Sequence, residues 1–165
     1  MLVRHTPRRR HARGFTLIEL VTAITVMAIL AGAALPSFRE FVANQRLRNA
    51  SFDLMAALTL ARSEAVTRNV NVSLARTTAS SAWDKGWNVL AAGTTRPIQN
   101  QEALKNLTIT DSAALGSITY GKDGRTLTTS TKFTIAPSTT IPGVSSRCVS
   151  IGLSGVPSSS VGACQ

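Results

Sequence analysis

From Phe15 to Leu35 the chain runs for 21 residues with a single charged side chain, Glu19. That length matches the twenty or so apolar residues that span a hydrocarbon core. After Pro36 the pattern turns amphipathic. Phe38, Phe41, Val42, Phe52, Met55, Leu58, Ala61 and Ala65 recur at roughly helical spacing, with Arg39, Glu40, Arg46, Arg48 and Arg62 largely between them. The two patterns join into one predicted helix from about Phe15 to about Asn69, bent or broken between Gly32 and Pro36. A proline inside a helix removes one hydrogen bond and clashes with the preceding turn. Unbroken, about 55 residues would reach roughly 80 Å. The first half is lipid-soluble, and the second half is expected to lie on a sheet.

Beyond Val70 the period changes to two. "VNVSLAR" alternates apolar and polar residues, and "GWNVLAA", "LTIT", "SITYG", "KFTIAP" and "RCVSIGLSG" are further candidate strands. Gly, Pro, Ser and Asp punctuate them. "GKDG" at 121–124 reads as a tight turn; a phosphate cradle would need a G-x-x-x-x-G-K pattern leading into a helix. The Ser- and Thr-rich stretches at 77–82, 126–131 and 158–160 read as solvent-facing loops or edge strands. Trp83 and Trp87 are expected to be core anchors.

Charge alters this picture mainly at the N-terminus. The formal net charge is +10, but five of the eighteen basic residues (Arg4, Arg8, Arg9, Arg10, Arg13) precede Gly14 with no acid among them. Thirteen basic and eight acidic residues remain after Gly14, so the high pI overstates how basic the folded part is. The arginines should stay cytoplasmic and send the C-terminal part outward. Both histidines, His5 and His11, also lie in this leader. The rest of the chain therefore lacks the histidine for a Ser-His-Asp or Cys-His nucleophile and for the usual His/Cys zinc sites. Asp53, Glu64, Asp84, Glu102, Asp111 and Asp123 are dispersed without a linking motif. A protein without catalysis, metal or cofactor is expected.

Glu19 is the informative exception within the apolar run. An isolated ionised carboxylate in lipid costs several kcal/mol and usually has a partner. It either snorkels from near the helix end or pairs with a positive group on a neighbouring subunit. A cut after Gly14 would supply that group, because the new amino terminus of Phe15 would lie at nearly the same depth.

Gly14-Phe15-Thr16-Leu17-Ile18-Glu19-Leu20 resembles the processing motif of type IV prepilins and type II secretion pseudopilins. The resemblance implies that a prepilin peptidase/methyltransferase cuts after Gly14 and methylates Phe15. It also implies that Glu19 serves assembly with other pilin or pseudopilin subunits, and that Pro36 is the family's helix-kinking proline. "ARSEAV" near the predicted helix end, and Trp83-Asp84-Lys85-Gly86 before a strand, are similar to the GspH/FimT group of pseudopilins and minor pilins. The implied fold is α+β, a type IV pilin-like ladle with a long N-terminal helix packed on an antiparallel β-rich globular domain. Its parts are a removable leader (1–14), a transmembrane and assembly half-helix (15–36), an amphipathic half-helix (37–69) and a pilin domain (70–165). The implied location is the bacterial inner membrane, single-pass, with the domain periplasmic until it enters a filament.

Cys148 and Cys164 would meet an oxidising compartment if the domain is exported. They then form either a disulfide closing a C-terminal loop or two buried free thiols. Three functions remain open: a minor pilin of a type IV pilus, a pseudopilin resembling GspH, and a FimT-like minor pilin that captures DNA. A Cys-bounded C-terminal loop, like that of many type IV pilins, favours the pilus. The DNA-binding members use a Gly-Arg-x-Arg motif, where this chain reads "SGVPSS". Lys122, Arg125, Lys132 and Arg147 are the remaining candidates for phosphate contacts, weighed against an ordinary solvated basic face.

Overall fold

The apolar run and the amphipathic run form one helix, α1, over Leu17–Arg68. The computed structural model describes residues 15–78 and 82–165; Gly14 and the arginine leader lie outside them. Of the two expected outcomes at Gly32 to Pro36, a bend or a break, the break does not occur: α1 is helical through both residues. The proline costs only its own N–H, the donor that Gly32 C=O would otherwise receive, and regular turns on either side carry the helix past it. Internal contacts divide the chain into two units, one ending at Phe38 and the other Arg39–Gln165.

In the first unit the apolar side chains have no cover: Phe15, Leu17 and Ile18 are 80%, 81% and 68% exposed. The polar groups there are satisfied by the helix itself. Thr22 Oγ1 donates to Ile18 O and Glu19 O, both at 3.0 Å, and Thr25 Oγ1 donates to Val21 O at 2.8 Å. Apart from the Glu19 carboxylate, a helix that meets its own hydrogen-bonding needs and displays mainly apolar surface is suited to lipid or to other such helices.

Among the described residues of the second unit eight antiparallel strands follow the helix: β1 Val72–Arg76, β2 Trp87–Ala91, β3 Gln99–Gln101, β4 Leu107–Asp111, β5 Ser117–Tyr120, β6 Thr131–Pro137, β7 Arg147–Ile151 and β8 Pro157–Val161. They make two four-stranded sheets, ordered β3-β2-β1-β5 and β4-β6-β7-β8. Alternation directs Val72, Leu74, Trp87, Val89, Ile118 and Tyr120 from the first sheet, and Ile109, Phe133, Ile135 and Val149 from the second, into one core. The helix meets that core through Leu47, Ala50, Leu54, Ala57, Leu58, Ala61 and Ala65. Their spacing of three and four keeps one face inward, and the alanines let the backbone come close. Both tryptophans are buried as expected; Trp83 Nε1 donates to Leu115 O at 3.2 Å, and its ring meets Phe133 edge-on at 5.1 Å.

The "GKDG" turn is closed by Gly124 N–H donating to Gly121 O at 2.9 Å. Arg62 Nε from the helix then donates to Gly124 O at 2.9 Å and ties that turn to α1. Nearby, burial pushes the Tyr120 phenol well above its ordinary range, with the Arg62 charge pulling weakly the other way.

The structure joins Cys148 of β7 to Cys164, closing a loop with a sequence separation of 16. Cys164 N–H donates to Thr134 Oγ1 at 3.3 Å, and Lys132 Nζ donates to Gln165 O, so the tail is laid across β6 and β7. Residues 39–165 expressed alone in an oxidising compartment are expected to fold as a soluble monomer, two daltons lighter than after reduction. Closing a loop of this length is worth about 3 kcal/mol by the chain-entropy estimate. Reduction should lower the urea-unfolding free energy by that order. An aggregated fragment, or a mass unchanged by reductant, would refute the expectation.

Candidate assembly site

The N-terminal turn of α1 is built by Thr16. Its hydroxyl accepts the Glu19 N–H at 3.3 Å, and its carbonyl accepts the Leu20 N–H at 3.2 Å. Thr16 is thus the N-cap and Glu19 the third helical residue, the spacing of a capping box. Thr-x-x-Glu ahead of an apolar run is the sequence signal for such a helix start. A carboxylate in the first turn also opposes the positive end of the helix dipole. Glu19 therefore has a local role, yet its carboxylate makes no ion pair among the described residues.

What surrounds it is apolar and open. Phe15, Leu17, Ile18 and Leu20 are all more than half exposed. No described residue within this turn supplies a positive charge. Gly14, the expected cleavage point, lies outside the described residues.

The four basic residues considered for phosphate contacts are not gathered on one surface. Lys122 lies within the 121–124 turn and Arg125 directly follows it, and both are exposed. Lys132 pairs with Ser150 across β6 and β7, whereas Arg147 pairs with Ile135. Directly paired residues share a face, so Lys132 lies on the outer face and Arg147 on the face of the buried Ile135. Lys132 is, in addition, engaged with the C-terminal tail.

No group of three His, Cys, Asp or Glu converges among the described residues. A shallow groove of ≈ 340 Å³ beside the helix is lined by Arg46, Asn49, Asp53 and Lys105, with partial burial holding the Asp53 carboxyl above its ordinary value.

Comparison with known proteins accords with this geometry. Residues 50–155 match the family described as Type II transport protein GspH, and residues 9–35 match the prokaryotic N-terminal methylation motif. Among solved structures, the type IV minor pilin FimU of Pseudomonas aeruginosa is 27% identical, with a TM-score of 0.61 over 72% of this chain and 90% of that one. A second crystal form of FimU gives 26% and 0.59, over 68% and 91%. The minor pseudopilin EpsH from the type 2 secretion system of Vibrio cholerae shares the fold at 13% identity and a TM-score of 0.53, over 70% of this chain and 97% of that one.

Proposed function

The chain belongs to the GspH family of minor pilins and pseudopilins, and on that premise we propose that it is a minor pilin of a type IV pilus. The observation that carries the choice of system is the likeness to FimU at 27% identity, against 13% for the pseudopilin EpsH. The role is structural rather than catalytic: a subunit that enters or initiates a filament, including at its tip.

The order of events follows from the residues. The arginine leader holds the precursor in the inner membrane facing the cytoplasm, with Arg39–Gln165 in the periplasm. Prepilin peptidase cuts after Gly14 and methylates Phe15. The new amino terminus then supplies the positive group that Glu19 of an adjoining subunit lacks. The exposed apolar helix passes from lipid into contact with other helices of the same kind. DNA capture is left out of this proposal, because Gly155-Val156-Pro157-Ser158 stands where Gly-Arg-x-Arg would be needed.

Chromosomal deletion tests the choice of system. Sheared surface filaments are expected to fall at least tenfold and return on complementation, with exoprotein secretion intact. Normal piliation with failed secretion would assign the chain to a type II system instead.

A further inference from the structure

Two sheets have four outer edges, and three of these are blunted. β3 is only three residues long and is flanked by Arg96 and Glu102. β4 ends in Asp111 and packs against the short helical turn Trp83–Lys85. The outer edge of β5 is covered by the chain itself, since Leu127 N–H donates to Thr119 O at 2.8 Å and Thr126 bridges to Tyr120. Short length, charge and cover are the usual protections of a strand edge.

β8 is different. No charged side chain occurs anywhere from 148 to 165. The phase of its ladder is set by Gly162 N–H donating to Ser146 O at 2.7 Å. Ser158 and Ser160 therefore turn their backbone groups toward β7, and Ser159 and Val161 turn theirs outward. The free edge presents the N–H groups of Ser159 and Val161 and the carbonyls of Pro157, Ser159 and Val161. Among the described residues no hydrogen bond covers them. Apolar side chains stand beside the edge without cover: Val161 is 69% exposed and Val156 53%.

We infer that the outer edge of β8 docks an extended, uncharged segment of a neighbouring pilin-class subunit, which adds a strand to the sheet. Strand addition draws affinity from main-chain hydrogen bonds, and the apolar side chains alongside supply cover. β8 itself carries no charged side chain, Arg147 opposite Val161 belonging to β7, so an uncharged segment meets the strand without stranding a charge. The inference rests on the assembly reading of the family, and within Arg39–Gln165 the strand adjoins α1. Ser159 Oγ lies 2.8 Å from Ser51 Oγ of α1, and the next helical residue, Phe52, is 58% exposed. A second copy joined β8 to β8 would be two-fold symmetric and closed, whereas a filament needs a head-to-tail contact.

The test uses the full chain in cells, with a photoreactive phenylalanine analogue in place of Ser160. Illumination should give an adduct with a different pilin-class subunit, identified by mass spectrometry. Val161→Pro removes an outward N–H and leaves the β7 ladder its donors, so the adduct should fall at least tenfold while the Cys148–Cys164 bond still forms. Should that variant not fold, Val161→Lys places a charge on the edge and must give the same loss. An undiminished adduct in either folded variant, or an adduct only with a second copy of this chain, overturns the inference. Absence of any adduct from chain recovered in the filament fraction overturns the edge site and leaves the assembly reading standing. Absence of the chain from filaments overturns both.

Discussion

Glu19→Ala is expected to yield a chain that is made, inserted and cleaved normally, yet is nearly absent from sheared filaments. The argument begins with the environment. The carboxylate sits in the first turn of a helix whose neighbouring side chains are apolar and uncovered, with no ion-pair partner among the described residues. Once such helices pack together, stripping one partner from a buried charge pair costs about 3–5 kcal/mol. A loss of about 3 kcal/mol lowers incorporation by roughly a hundredfold. The competing explanation is local, because Glu19 also stands third after the Thr16 N-cap, the spacing of a capping box, at the positive end of the helix dipole. Losing a cap costs only about 1 kcal/mol. Glu19→Gln separates the two, since glutamine serves a capping box as well as glutamate does but brings no charge. The charge reading requires Glu19→Gln to fail in assembly as badly as Glu19→Ala, with helix content unchanged by circular dichroism in detergent. Full incorporation of Glu19→Gln would reduce Glu19 to a capping residue.

Glu19 also marks how far a sequence can be read. Its oddity is legible because twenty uncharged neighbours surround it, and the second half of the helix is legible because burial imposes spacing there. The strands read from alternation, β1, β2, β4, β5, β6 and β7, each have one face in the core. β3, "QNQ", left no such trace. β8, "PSSSV", was legible only as a loop or edge strand. Both lie at sheet edges and are held through their backbones, which carry no side-chain pattern. The same limit applies to the basic residues. Lys132 and Arg147 look equivalent on paper, and only the register of β6 against β7 puts them on opposite faces. At Pro36 the sequence left a bend and a break equally open, and only the continuous helix excludes the break.

Gly86→Ala is expected to be among the most damaging single-methyl changes in the globular unit, lowering its stability by about 3 kcal/mol or more. Gly86 closes the turn at Trp83–Lys85, its N–H donating to Trp83 O at 3.2 Å and its carbonyl accepting the Thr77 N–H at 3.1 Å. Its φ of 101° and ψ of 170° belong to a region that only glycine occupies readily, a strain of about 1–3 kcal/mol for any other residue. Space is the larger difficulty. A Cβ there would stand 2.2 Å from the carbonyl oxygen of Gln101, so β3 would have to leave β2. That movement would disturb Trp87, which is fully buried and pairs with Gln101. The glycine of Trp-x-x-Gly is therefore required where backbone meets backbone between two core tryptophans. For a domain of this size the loss corresponds to a fall in Tm on the order of 10 °C. Gly93→Ala provides the control: φ is also positive, at 81°, but no atom lies within 4 Å of the added Cβ. Only the strain remains there, about 1 kcal/mol. Equal losses for the two variants, measured by urea unfolding, would show that the approach of Gln101 O to Gly86 does not decide the residue.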